Sequence, residues 1–212
     1  MKVIAINGSP RKNWNTAKLL ENALEGAKNK GADTELIHLY DLQYKGCRSC
    51  LVCKRKNTKS YGMCCINDDL KPLFHKISQA DAIILGSPIY FWNVTAAMRA
   101  FLERFLFQYL VYNSSSLNIY HGSLKVSFVY TMNVKESTFL QSQLKQEVDA
   151  INSIIERTFG KIKTLYSFFT YQTDNYDGME YSHFDINEKK EHYEQVFPLD
   201  CKKAYNLGCE LV

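Results

Sequence analysis

The chain predicts an α/β fold: a five-stranded parallel sheet with helices on both faces. Three observations carry this. Short apolar runs end one after another in clusters of turn-forming residues, and amphipathic helical patterns fill the intervals between them. The third is bulk: 212 residues with 46% apolar composition and only four prolines suffice for one sizeable core. Strands alternating with helices are joined by right-handed crossovers, and such sheets bind ligands beyond the carboxyl ends of their strands, where strand order reverses.

The first strand, Val3 to Ile6, is a fully apolar run of the kind that fills a buried parallel strand, and it stops at Asn7-Gly8-Ser9-Pro10. A polar loop carrying Arg11 and Lys12 follows. Thr16 then opens a helix with Leu20, Ala23, Leu24 and Ala27 on one face. The start of a helix leaves backbone N–H groups unpaired at the positive end of its dipole, so this unit suits an anion, with Ser9, Asn15 and Thr16 as further donors. The spacing is neither that of a P-loop nor GxGxxG, which points to a monophosphate. The alternative is a helix start simply capped by Asn15 or Thr16.

Lys28, Lys30 and Gly31 end that helix, and Thr34 to Tyr40 reads as the second strand. Residues 41 to 67 form a long connection with five of the seven cysteines. Asp68 or Asp69 caps a helix with Leu70, Leu73, Phe74 and Ile77 inward; the pair reads as a cap rather than as catalytic acids. Ala82 to Leu85 is the third strand, ending at Gly86-Ser87-Pro88. In the loop beyond it, Pro88-Ile89-Tyr90-Phe91-Trp92-Asn93 offers backbone N–H groups and three aromatic faces to a flat heterocycle, or else a hydrophobic lid. Thr95 starts a helix with Ala97, Phe101, Leu102, Phe105 and Leu106 inward. Val126 to Tyr130 is the fourth strand, Thr138 to Phe159 a helix and Ile162 to Phe169 the fifth strand. Glu188 to Leu211 is helical at its ends, with Phe197-Pro198 interrupting it. Asn113 to Ser116 is the exposed tip of an insertion between residues 112 and 123. No internal repeat is present, and the reading is of one domain, 1–212, with a cysteine-rich loop (43–67) and a C-terminal helical extension (186–212).

Composition excludes several function classes. A net charge of +4, from 26 basic and 22 acidic residues without a basic block, does not argue for nucleic acid. No run is long enough to span a membrane and no signal-peptide pattern precedes the first strand, so the expectation is a cytoplasmic protein. Seven cysteines, an odd number in such a chain, favour metal or redox chemistry over a disulfide framework. Cys47-x2-Cys50-x2-Cys53 places three thiols in one loop, as in the cysteine runs that ligate ferredoxin clusters. Cys64 and Cys65 follow after longer gaps, which leaves three readings: an iron–sulfur centre, zinc or redox-active thiols, or silent cysteines. Cys201 and Cys209 read as core residues. The five histidines form no ligand pattern, and Glu136 and Asp149 have no evident partners.

Three segments together, INGSPRKNWNT (6–16), Cys47 to Cys65 followed by Asn67-Asp68-Asp69, and GSPIYFWNVTAAMRAFLER (86–104), resemble the flavodoxin-like NADPH-dependent FMN reductases, closest to the iron–sulfur flavoproteins and their cluster-free relatives. The resemblance covers residues 1 to about 110 well and the rest more loosely. It implies a flavodoxin-like three-layer sandwich, sheet order 2-1-3-4-5, with noncovalent FMN. Ser9, Arg11, Asn15, Thr16 and Ala17 would surround the phosphate, and Pro88, Ile89, Tyr90, Phe91, Trp92 and Asn93 would line the isoalloxazine, with Thr131 to Val134 near its other edge. A [4Fe-4S] cluster would take Cys47, Cys50, Cys53 and Cys65. Trp14 departs from the family, where many relatives have glycine. It implies either that the loop keeps a negative φ there or that the indole has a role of its own, such as covering the ribityl chain or reaching a neighbouring subunit.

The resemblance implies an oxidoreductase in which FMN takes a hydride from NAD(P)H, or electrons from a ferredoxin, and passes them to a small acceptor such as quinone or flavin. No catalytic acid–base residue is expected. The alternatives are an iron–sulfur flavoprotein acting as an electron carrier, and a flavin-free regulatory or scaffold protein on the same fold. The aromatic helix from Phe101 to Tyr112 and the insertion after it suggest a homodimer or homotetramer.

Overall fold

A computed structural model describes residues 1–113 and 117–212. The apolar runs become strands β1 (Lys2–Asn7), β2 (Asp33–His38), β3 (Ala82–Tyr90), β5 (Lys125–Thr131) and β6 (Lys163–Ser167), all parallel in the order β2-β1-β3-β5-β6. The expected order 2-1-3-4-5 holds once β4 (Asn93–Val94), a two-residue strand antiparallel to the end of β3, is set aside. The chain runs from β1 outward to β2, then back across β1 to β3. Strand order therefore reverses between β1 and β3, and the candidate site is expected at their carboxyl ends.

Period-2 alternation sorts the strand residues between two cores. Ile4, Ile6, Ile83, Leu85 and Phe128 face α2 (Leu70–Ile77), α3 (Ala96–Phe107) and α5 (Gln143–Phe159). Val3, Ala5, Ala82, Ile84 and Val129 face α1 (Asn15–Asn29) and α7 (Phe197–Leu211). The last two helices pack backbone to backbone at glycines: a Cβ on Gly208 would lie 1.7 Å from the Ala23 carbonyl oxygen, and one on Gly26 2.0 Å from that of Tyr205. Cys209 joins this contact, its thiol donating to the Gly26 carbonyl oxygen at 3.3 Å. Cys201 and Cys209 are only partly buried.

Several boundaries differ from the sequence expectation. The second strand stops at His38 and gives way to a 3-10 turn, Leu39–Asp41. The single helix expected over 138–159 is two, α4 (Glu136–Gln141) and α5, because Ser142 is extended and its hydroxyl donates to the Phe139 carbonyl oxygen at 3.0 Å, an alternative to continuing the helix. The fifth strand is shorter than expected, ending before Phe169, which takes a positive φ of 49°. The C-terminal region is α6 (Ile186–Gln195) followed by α7, and Pro198 sits in the first turn of α7, where its missing N–H costs no hydrogen bond. Asp149, expected to lack partners, pairs with Lys145 at 2.5 Å. Of the expected tip 113–116, residues 114–116 lie outside the described residues; the chain flanking them pairs as a bridge between Leu110 and Asn118.

Candidate flavin and cysteine sites

At the carboxyl end of the sheet, the loop after β1 is tied to β3 and to the start of α3, and the start of α1 to the end of β5. Gly8 N–H donates to the Gly86 carbonyl oxygen at 2.7 Å, and the Thr95 hydroxyl donates to that of Gly8 at 2.6 Å while capping α3 through Met98 N–H at 3.2 Å. A Cβ on Gly8 would meet the Met98 side chain at 2.9 Å, so the close approach of this loop to α3 requires glycine there. The end of β5 joins through a buried bond between the hydroxyls of Thr131, its last residue, and Thr16 in the first turn of α1 at 2.8 Å.

Helix α1 begins at Asn15 with Trp14 as its N-cap residue, and no side chain caps it. Its first-turn N–H groups are therefore not occupied by a side-chain cap, the arrangement that an anion can complete. The side chains expected around a phosphate are divided in their engagements. The Ser9 hydroxyl accepts from Arg11 N–H at 3.2 Å, and Ala17 is buried in the core. The Arg11 guanidinium donates to the Gln172 carbonyl oxygen. Asn15 Nδ2 donates to that of Tyr171 at 2.6 Å, and the Trp14 indole N–H donates to the same oxygen at 2.9 Å. Arg11 also stacks on Trp14, 4.8 Å from the ring centroid. Trp14 has φ −111°, an extended conformation open to any residue, so the loop needs no glycine here. Its indole has a role within the chain, tying the loop to the segment after β6.

At the end of β3, Ile89 pairs with Val94 and Tyr90 with Asn93, leaving Phe91 and Trp92 as a two-residue hairpin loop. Both have positive φ, 47° and 65°, as a type I′ turn demands. Phe91 is fully exposed at 101% and Trp92 half-exposed at 53%. Sequence reasoning missed this hairpin because its usual signal, Asn-Gly or Asp-Gly, is absent.

Cys47, Cys50, Cys53, Cys64 and Cys65 all line one cavity of about 20 Å³, together with Arg104, Phe107 and Gln108 of α3 and its C-terminal end. The connection curls round it through left-handed residues Ser49 (φ 54°) and Leu51 (φ 57°). The Cys50 and Cys65 sulfurs are 3.8 Å apart. The Val52 backbone N–H holds the Cys50 thiol below its ordinary pKa, whereas burial pushes those of Cys53 and Cys65 up. Among the described residues, no group of three or more His, Cys, Asp or Glu side chains is arranged to hold a single metal ion.

Arg104 closes this cup, and its side chain is wholly buried. Nη1 contacts Asp68 at 2.5 Å and the Lys45 carbonyl oxygen at 3.3 Å, Nε donates to the Cys64 sulfur at 3.4 Å, and buried Nη2 has no partner. The acidic pair is accounted for here: Asp68 accepts from Leu70 N–H at 3.2 Å as well as from Arg104, and Asp69 accepts from Gln43 N–H at 2.7 Å. Arg104 and Gln108 escaped the sequence reading. An arginine between Phe101, Leu102 and Phe105, on an otherwise apolar face, was the available signal. Five thiols and an unpartnered buried cation are a donor set that fits an anionic iron–sulfur centre.

Fold and site together define a flavodoxin-like protein of the redox class. The chain belongs to the NADPH-dependent FMN reductase family, whose sequence profile matches residues 1–155. It is 41% identical over 104 residues to an iron–sulfur flavoprotein of Methanocaldococcus jannaschii, covering 49% of this chain and 51% of that one. To one of Archaeoglobus fulgidus it is 39% identical over 106 residues, covering 50% and 46%. The chain thus spans about half the length of these curated relatives. A match to an iron–sulfur flavoprotein of Clostridioides difficile is longer and weaker, 27% identical over 180 residues, 81% of this chain and 79% of that one. In fold, the chain is similar to the NAD(P)H:quinone oxidoreductase of Methanothermobacter marburgensis, with a TM-score of 0.72 and 14% identity over 100% of this chain and 99% of that one.

Proposed function

We propose that this protein is an FMN-dependent oxidoreductase that takes electrons from NAD(P)H or a reduced ferredoxin and delivers them to a small acceptor such as a quinone or free flavin. The observation that carries the reading is an α1 N-terminus without a side-chain cap, tied to the end of β5 through Thr16 and Thr131, together with an exposed aromatic hairpin at the end of β3. The residues fit FMN. Backbone N–H groups at the start of α1 would hold the phosphate, with Ser9, Thr16 and Thr131 hydroxyls beside it. Arg11, with Lys12 and Lys18, would supply positive potential while Arg11, Trp14 and Asn15 fix the loop to residues 171–172. Pro88 to Asn93 would bound the isoalloxazine, with Tyr90, Phe91 and Trp92 offering ring faces to it or to an incoming nicotinamide.

FMN, when bound, supplies hydride and single-electron chemistry. The chain's own part is to anchor the phosphate, orient the ring and present one ring face to partners. A general acid or base is not needed for that work.

The cysteine cup and the named cofactor of the curated relatives favour a second reading, in which Cys47, Cys50, Cys53 and Cys65 ligate an iron–sulfur centre and the protein carries single electrons. Clustered thiols suit a reducing compartment such as the cytoplasm. Among the described residues no helix is long and apolar enough to cross a membrane. Of the aromatic helix from Phe101 to Tyr112 that suggests a homodimer or homotetramer, Phe101 and Phe105 are core residues, and Tyr112 at its end is left exposed for such an interface.

The experiment is an absorption spectrum of protein purified without oxygen, with iron and sulfide assayed on the same sample. Flavin bands over a broad iron–sulfur absorbance are expected. Flavin bands without iron would leave the reductase reading alone, and apoprotein that takes up no FMN at micromolar concentration would overturn both.

A further inference from the structure

Residues 42–67, between β2 and α2, carry Lys45, Arg48, Lys54, Arg55, Lys56 and Lys59 and no acidic residue. The mild charge of the whole chain conceals this: elsewhere the remaining 20 basic residues are outnumbered by 22 acidic ones. The fold leaves the six cations uncompensated. All but Lys54 are exposed, and among the described residues none of the six pairs with a carboxylate. Lys54 is half-buried and donates to the Phe107 and Leu110 carbonyl oxygens at the end of α3. The neighbouring carboxylates are engaged elsewhere: Asp41 with Lys12, Asp68 with Arg104, Asp69 with Gln43 N–H, and Glu103 with Cys47 N–H and Arg99.

Apolar surface accompanies these charges. Leu51 and Met63 of the connection are exposed. Gly62 N–H donates to the Cys53 carbonyl oxygen at 2.9 Å, closing residues 54–61 into a loop that carries Arg55, Lys56 and Lys59. Beside the connection a cavity of about 400 Å³ opens between α3 and α5. Cys47 and Ser49 belong to its wall with Leu106, Leu117 and Ile154, and Arg157 lines it without an ion pair among the described residues. Apolar surface with charges that have no counter-charge of their own is the anatomy of a protein interface. A flat lipid surface would leave the cavity empty, and the connection has no amphipathic helix to lie in one. Its two tyrosines, Tyr44 and Tyr61, are half-buried, so it offers no exposed ring on which bases would stack.

We propose, resting on the ferredoxin-fed form of the function above, that this connection and the cavity beside it are the docking surface for an acidic electron-donor protein. The exposed cations meet carboxylates of that partner and steer its approach, while Leu51, Met63 and the cavity receive its apolar side chains. Docking of this kind needs no metal at the thiols.

The test is calorimetric titration of the full chain with an acidic ferredoxin, kept oxidised so that binding alone is read. Wild type should bind at about 20 mM salt and lose about tenfold or more in affinity at about 200 mM. The triple variant Arg55→Glu, Lys56→Glu, Lys59→Glu should bind about tenfold or more weakly at low salt. Lys30→Glu, Lys161→Glu, Lys202→Glu makes the same change in net charge at exposed positions elsewhere and should stay within about threefold of wild type. Equal losses in the two triple variants would reduce the effect to net charge and overturn the docking surface. Ile154→Asp should weaken binding several-fold, and an unchanged affinity would remove the cavity from the surface. Circular dichroism checks folding, and if the first triple variant does not fold, the same three positions changed to Gln decide. Wild type that binds a poly-dT oligonucleotide or anionic phospholipid vesicles but not ferredoxin would overturn the proposal. Absent ferredoxin binding in a protein that takes up FMN and oxidises NAD(P)H would remove this inference and leave the oxidoreductase; a protein that takes up no FMN would fail that reading, whatever it binds.

Discussion

Trp14 shows how one side chain takes over a task that backbone flexibility performs elsewhere. With an extended φ it has no need of glycine's freedom, and its indole N–H reaches the Tyr171 carbonyl oxygen, 157 residues away in sequence. Trp14→Phe keeps the ring and removes that donor, which should cost about 1 kcal/mol in denaturant unfolding. A change under a few tenths would mean that the bond adds nothing net. Lys189 is the second instructive residue. It is fully buried with its ammonium on Asn133 Oδ1 and over the rings of Phe169 and Phe184 at 4.1 and 4.8 Å, near enough to His192 to act on its charge. Desolvation lowers its pKa to about 8. Between there and the ordinary lysine value the unfolded chain binds more protons than the folded one, so this residue's contribution to stability rises with pH across that window and is flat below it. Wild type should gain stability relative to Lys189→Met on going from pH 7.5 to 9.5. Equal differences at the two pH values would count against the shift.

At the scale of elements, one feature shows close packing and another shows strain. The α1–α7 contact is set by Gly26 and Gly208, where added methyl groups would strike carbonyl oxygens. Gly208→Ala should destabilise by about 1–3 kcal/mol or more, seen as a lower midpoint in urea, since the backbones must separate. The β3–β4 hairpin is the opposite case. Phe91 and Trp92 occupy left-handed positions that suit Asn and Gly, so replacing the pair by Asn-Gly should stabilise the protein by about 1 kcal/mol. The same change should weaken FMN or NAD(P)H binding several-fold, measured by fluorescence titration. A variant that is more stable and binds both as well as wild type would show the aromatic pair to be irrelevant to the site.

At the scale of the molecule, the candidate FMN site is the junction of the loop after β1, the start of α1 and the ends of β3 and β5, which the sheet order brings together. FMN at about 100 times its dissociation constant should therefore stabilise the whole domain by about 2.7 kcal/mol. Thermal unfolding with and without FMN checks this, and an unmoved midpoint at saturating FMN would exclude preferential binding to the folded state.

The alternation of apolar runs with amphipathic stretches was enough to place every parallel strand and most helices, because burial on both faces of a parallel sheet leaves a local mark in the sequence. Thr95 as a helix cap was legible for the same reason: capping acts over three residues. Ser142 was not, because whether a mid-helix serine interrupts depends on a bond to the neighbouring backbone that competes on nearly equal terms. The loop 6–16, the cysteine segment and residues 86–104 identified the family and the regions proposed for its chemistry. Tertiary structure alone decided that Arg11, Trp14 and Asn15 spend their donors on residues 171–172, that Phe91 and Trp92 turn a hairpin, and that Arg104 enters the cysteine cup with one nitrogen unpaired. Each of these depends on partners distant in the chain or on backbone geometry that side-chain pattern does not encode. Local periodicity fixes elements, whereas the hydrogen bonds that assign roles are made between them.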